Sequence, residues 1–255
     1  MNTCKLISFF AGLSILITSF TLQAQNQPQD TIDHLTEGQS LLKQKKYADA
    51  KVSFTQHMVT YADSPEAHQG RGIANYYLQK NDAALEDLNR AIELRQFNKD
   101  VFLYRGLCLS EQGNHKGTIN DLSKAIQEGG NDPRAFEKRA MAFIATESYS
   151  DALSDLDQLI ALGKKNEKIF NQRGELRMKM KDFQDAQSDF SEAVKLKESY
   201  QQAWLNRAEA SFHLEQWDSV IADLNKAAGL GEFTAKYLFF RGVAMYETSS
   251  YGEAI

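Results

Sequence analysis

The side chains able to do chemistry in this chain form one ordered set and several scattered ones. The ordered set is ionic. Arg71, Arg105, Arg139, Arg173 and Arg207 stand 34 residues apart, and each is followed sixteen residues later by an aspartate: Asp87, Asp121, Asp155, Asp189 and Asp223. The planar guanidinium fork can bond a carboxylate at two points, so the pattern predicts a ladder of ion pairs. Both charges are missing from the preceding stretch, where Glu37 and Ser53 hold the equivalent places. A pair that recurs in successive units is more cheaply explained as a packing and register device than as a ligand site. The spacing leaves open whether each pair closes within a unit or bridges two.

The scattered groups lack the partners that catalysis needs. His34, His57, His68, His115 and His213 form no HExxH pattern and no Cys/His cluster, so no metal is expected. Cys108 occupies a place that other units mostly fill with alanine, as a small buried residue would, and nothing beside it marks an activated nucleophile. Serines and threonines sit in no nucleophile elbow, and no glycine-rich loop is present to cradle a phosphate. The expectation is a protein that is not an enzyme, with no cofactor and no small-molecule substrate.

What positions the arginines is a repeat. Gly38, Gly72, Gly106, Ala140, Gly174, Ala208 and Gly242 are spaced by 34 residues without insertion or deletion. A fixed period of this size marks a solenoid. The units run 31–64, 65–98, 99–132, 133–166, 167–200, 201–234 and a partial 235–255. Each contains two apolar stripes at helical spacing, such as Phe183, Ala186, Phe190, Ala193 and Val194, separated by a polar turn. Each unit is therefore read as two antiparallel helices of roughly 12–14 residues. Ser64-Pro65 and Asp132-Pro133 give a capping side chain before a first-turn proline. Small residues at position 8 face large ones at position 24 (Phe54, Leu88, Leu122, Leu156, Phe190, Leu224), so that adjacent helices interlock. One such hairpin cannot bury both of its sides, so stability must come from stacking.

These positions carry a resemblance. Trp204, Ala208, Trp217, Val220, Leu224 and Ala227 of the sixth unit, and Phe170, Gly174, Phe183, Ala186, Phe190 and Ala193 of the fifth, resemble the tetratricopeptide repeat pattern. The resemblance recurs in register over residues 31–255 and departs most in the first unit, which has His34 and His57 at core-type positions. It implies an all-α, right-handed superhelical solenoid of antiparallel helix pairs whose first helices line a concave face. Carried onto this chain, that face holds Ile73, Tyr76, Tyr77, Leu103, Leu107, Met141, Ile144, Met178 and Phe212 with acidic edges. Contiguous apolar surface marks a protein-interaction site, and Met and Tyr suit adaptable contacts. The competing reading is that positions 9 and 12 pack against the next repeat. A carboxylate clamp is not expected, because position 5 reads Gln69, Leu103, Glu137, Asn171 and Leu205 where the clamp needs lysine.

The ends and the charge bound the rest. Lys5, the apolar run Leu6 to Phe20 and Leu22-Gln23-Ala24 read as a secretory signal peptide over 1–24, followed by a polar leader over 25–30. The apolar run is shorter than the roughly 20 residues of a membrane span, so membrane association is expected only if the signal is uncleaved. The net charge of -5 with mixed signs gives no basic stripe for nucleic acid. The expectation is a periplasmic or secreted scaffold of a bacterial cell envelope that binds a protein or peptide segment. The alternative is the docking or sensing region of a larger enzyme or outer-membrane-associated protein. Ile255 falls partway into the second helix of the seventh unit, so the sequence is expected to be a piece of a longer protein.

Overall fold

The computed structural model describes residues 33–232 and 234–252. The signal segment 1–24, the leader 25–30 and Ile255 lie outside them. Thirteen helices occur among the described residues: α1 His34–Lys43, α2 Tyr47–Thr60, α3 Pro65–Tyr77, α4 Asn81–Glu93, α5 Lys99–Glu111, α6 His115–Gln127, α7 Pro133–Ala145, α8 Tyr149–Ala161, α9 Glu167–Lys179, α10 Phe183–Leu196, α11 Gln201–His213, α12 Trp217–Ala228 and α13 Ala235–Gly252. The result is an all-α solenoid of antiparallel pairs.

Local chemistry sets the boundaries. The last residue of a unit caps the next first helix: Ser64 accepts from the Ala67 N–H, Asn98 from Asp100 and Val101, Asp132 from Arg134, and Asn166 from Ile169. Inside each of the six complete units the turn passes through the left-handed region at position 15, at Lys45, Gln79, Gly113, Glu147, Lys181 and Glu215, whereas in the partial seventh unit α13 runs through that position unbroken instead of turning into a second helix. Only the third unit uses glycine there, so the other turns each carry a cost of about 1–2 kcal/mol that the packed hairpin must offset.

The small-to-large interlock is within the unit. A methyl group added at Gly174 would lie 2.6 Å from the Phe190 ring, and one at Gly106 2.6 Å from a Leu122 methyl. Units whose large residue is Phe have glycine at position 8, Gly38 with Phe54 and Gly174 with Phe190. Alanine is found only opposite leucine, at Ala140 with Leu156 and Ala208 with Leu224. Phe54, Leu88, Leu122, Phe190 and Leu224 are fully buried.

The arginines tie this packing together. Nε and Nη2 of Arg71, Arg105, Arg139, Arg173 and Arg207 donate to Asp87, Asp121, Asp155, Asp189 and Asp223 of the same unit at 2.5–3.1 Å. In Arg105, Arg139, Arg173 and Arg207 the remaining Nη1 reaches back sixteen residues into the preceding unit, to Asn89, Ser123, Asp157 and Ser191, at 2.7–3.2 Å. Each ion pair thus closes within its repeat, and from the third to the sixth repeat the same guanidinium bonds the preceding one. In the first unit the Ser53 hydroxyl donates to Glu37 at 3.0 Å across the same gap between helices. Asp87 also receives Asn75 Nδ2 at 3.0 Å, and Asp189 receives Arg177 at 2.7 Å.

Stacking gives the curve. Neighbouring first helices touch (α1 with α3, α3 with α5, α5 with α7, α9 with α11, α11 with α13), whereas no two second helices do among the described residues. The first helices therefore lie on the inner, concave side. The exception is α7 and α9, whose backbones nowhere come within 8 Å Cα to Cα, and α8 packs on α9 more sparsely than any other second helix packs on its following first helix.

Two outcomes test this packing. Gly174→Ala should lower stability by about 1–3 kcal/mol in urea unfolding, and adding Phe190→Leu should recover part of that loss, making the pair less than additive. Arg139→Ala should cost about 3–5 kcal/mol, because Asp155 is left buried without its charge partner. A loss under about 1 kcal/mol would mark the pair as a surface feature. Burial already pushes the Asp155 carboxyl up, with Arg139 opposing it. Without Arg139 the folded state holds that proton more tightly than the unfolded chain, so stability falls as pH rises through the window above the unfolded value. The deficit of the variant should therefore be smaller at about pH 5 than at about pH 8.

Candidate partner-binding surface

The concave side chains divide by depth. Tyr77 and Met141 are exposed, at 36% and 49%. Ile73, Tyr76, Ile144, Met178 and Phe212, all on first helices, are half-buried. Leu103 and Leu107 are not available to a partner. Leu107 is 1% exposed, and both pack into a core cluster with Phe102, Leu122, Ala125 and Ala135. Their place in the groove is corrected to the core, because α5, which carries them, is flanked closely by both α3 and α7. The competing expectation, packing of positions 9 and 12 against the next repeat, holds for Leu107 at position 9, and Leu103 at position 5 is buried as well. It does not hold for Met141, which stays exposed where the backbones of α7 and α9 part.

Near the N-terminal end the inner face carries a tyrosine cluster. Tyr47 stacks on Tyr77 with ring centroids 4.2 Å apart, and Tyr76 and Tyr104 meet Tyr77 edge-on at 5.3 and 5.7 Å. The Tyr77 and Tyr104 hydroxyls are 2.9 Å apart. The Arg134 guanidinium lies 5.5 Å from the Tyr104 ring centre and is held by Asp132 at 2.7 Å. Burial pushes the Tyr104 phenol above its ordinary range, and the Tyr77 hydroxyl bond adds to this. The cluster offers rigid aromatic faces with little net charge. Sequence reading caught Tyr76 and Tyr77 but not Tyr47, Tyr104 or Arg134, which come from positions 17, 6 and 2 of three different units. The recurrence of tyrosine 27 residues apart, at Tyr77 and Tyr104, was the available signal.

Toward the C-terminal end the surface is polar, then aromatic. Asn171 and Asn206, on α9 and α11, are 3% and 8% exposed and hydrogen-bond to each other at 3.0 Å. Both also donate to one oxygen of Glu175, at 2.8 and 3.0 Å. Beyond them Phe212 stacks on Phe240 with centroids 4.1 Å apart and meets Trp217 edge-on.

The groups considered for catalysis are spread apart. Cys108 is fully buried, and burial pushes its thiol up to about 12. His68 lies between Asp87 at 3.3 Å and the Ala62 carbonyl at 3.0 Å, and His213 stacks on Phe183. His115 is exposed at the start of α6 rather than packed in the core. Among the described residues no group of three or more His, Cys, Asp or Glu could hold a metal. No described helix is long and apolar enough to cross a membrane.

Comparison with known proteins agrees with this architecture. No curated protein sequence gives a significant match. Among solved structures, YrrB, described as a tetratricopeptide protein with an unusual peptide-binding site, superposes with a TM-score of 0.60 at 17% identity over 72% of this chain and 95% of its own. The C-terminal part of a tetratricopeptide repeat protein from Cytophaga hutchinsonii gives 0.59 at 19% identity, covering 77% of this chain and 78% of its own. PilF from Pseudomonas aeruginosa gives 0.57 at 16% identity, covering 82% and 95%. These likenesses show the right-handed solenoid fold. The tetratricopeptide repeat profile itself matches residues 70–133 and 171–232. With the unbroken 34-residue register and the helix pairs it produces, residues 70–133 and 171–232 belong to the tetratricopeptide repeat family.

Proposed function

We propose that this protein is a non-enzymatic scaffold of the bacterial cell envelope that holds a segment of a partner protein against its concave face. The fold is that of a protein–protein interaction scaffold. The observation that carries the finer reading is the exposure of Tyr77 and Met141 on first helices, flanked by half-buried Ile73, Tyr76, Ile144, Met178 and Phe212. Large apolar side chains left at a concave surface gain from burial by a partner, and a few such anchors dominate binding. The description of YrrB as peptide-binding supports the same use of the fold. The envelope assignment rests on the apolar run Leu6 to Phe20 followed by Ala24.

Affinity capture from an envelope extract, read by mass spectrometry, should recover a partner with the wild-type protein. Replacing Tyr77 and Met141 together by Lys should weaken that capture by tenfold or more, on the order of 1.4 kcal/mol or above. Circular dichroism should show helical content nearly unchanged. Unfolding of the double variant would assign both residues to the core and end the groove reading. A reporter enzyme active only outside the cytoplasm, fused after residue 30, should be active if residues 1–24 direct export.

A further inference from the structure

We infer that the partner segment is basic, and that the Glu175 carboxylate seats one of its lysine or arginine side chains. This inference rests on the groove reading above. Its source is a break in the repeat symmetry of the inner face. Glu209, at position 9 of the sixth unit, is met by Lys236 from position 2 of the next, at 2.5 Å. Glu175 is at position 9 of the fifth unit, and the residue standing where Lys236 would stand is Gln202. Gln202 turns its amide to Asn206 Oδ1 at 2.7 Å instead. Glu111, further along the same face, is also paired, with Lys138 at 2.8 Å.

Glu175 is thus a concave carboxylate without a resident cation among the described residues. It is also held in place. Asn171 and Asn206, both more than nine-tenths buried, donate to its Oε1 and leave Oε2 outside the network. Lys179, one turn further along α9, lies over the Tyr149 ring at 5.1 Å. The unneutralised charge is felt by its neighbours: after burial, Glu175 is the next cause that raises the Tyr200 phenol. Glu137 on α7 is a second exposed carboxylate with no ion pair among the described residues. A fixed carboxylate without a counter-charge, three residues before the half-buried Met178 on α9, is complementary to an ammonium or guanidinium within an apolar segment. The Lys236–Glu209 pair supplies the geometry such a side chain would adopt.

The test is selection of a phage library of random peptides of about twelve residues on the whole protein. Lysine plus arginine should rise about twofold or more over the input library, together with apolar residues. Glu175→Gln keeps an oxygen for both asparagines but removes the charge. Gln202→Lys supplies the resident lysine that repeat symmetry predicts. Both variants should retain wild-type circular dichroism and return the basic enrichment to the input level while the apolar enrichment persists. Binding of a selected basic peptide, measured by fluorescence anisotropy, should weaken about fivefold or more in each. Basic enrichment that is unchanged in both variants overturns the inference. Purely apolar or acidic selection that is lost in Tyr77→Lys/Met141→Lys overturns it while the groove stands. No enrichment at all on the wild-type protein removes the groove reading and this inference with it.

Discussion

The bond on which the stack depends is the three-armed arginine. Two arms grip an aspartate that is almost fully buried between the helices of one repeat, and the third reaches the preceding repeat sixteen residues back. A buried carboxylate is tolerable only with its partner in place. The aspartate therefore selects the one hairpin geometry that brings the fork to it, and the third arm selects the one offset between hairpins. The aromatic and leucine layers supply most of the burial, but apolar packing alone is non-directional. The ladder adds direction to that packing, as a polar group in a coiled-coil seam does.

The inner face follows from that register. First helices touch their neighbours and second helices do not, so the solenoid bends and collects residues from successive units onto one surface. Where the first helices close tightly, as around α5, apolar residues at groove positions are lost to the core. Where they part, between α7 and α9, a methionine stays open. The usable surface is thus two aromatic regions separated by a more open, polar stretch that contains Glu175.

Much of this was legible in the sequence because the repeat samples one environment several times. The helix pairs, the small residues at position 8 with large ones at position 24, and the Arg–Asp partners each recur at fixed offsets, so chance has little room. The third arm of the arginine was not legible, since its acceptors (Asn89, Ser123, Asp157, Ser191) share a position but not a residue type. Nor was the depth of Leu103 and Leu107, because identical groove positions are buried or open according to how closely successive first helices approach. The parting of α7 from α9 has no marker in residue type. The tyrosine cluster escaped because its members come from different repeat positions and meet only after stacking.

The central claim is that recognition takes place on the first helices of successive repeats. Methyl NMR of the methionines reads this directly, because Met141 and Met178 sit on first helices and Met58 on a second helix packed in the first-unit core. On saturation with the captured partner, the Met141 and Met178 methyl signals should shift while that of Met58 stays in place. A shift confined to Met58, or no shift at Met141 and Met178 when the partner is bound, would contradict the account.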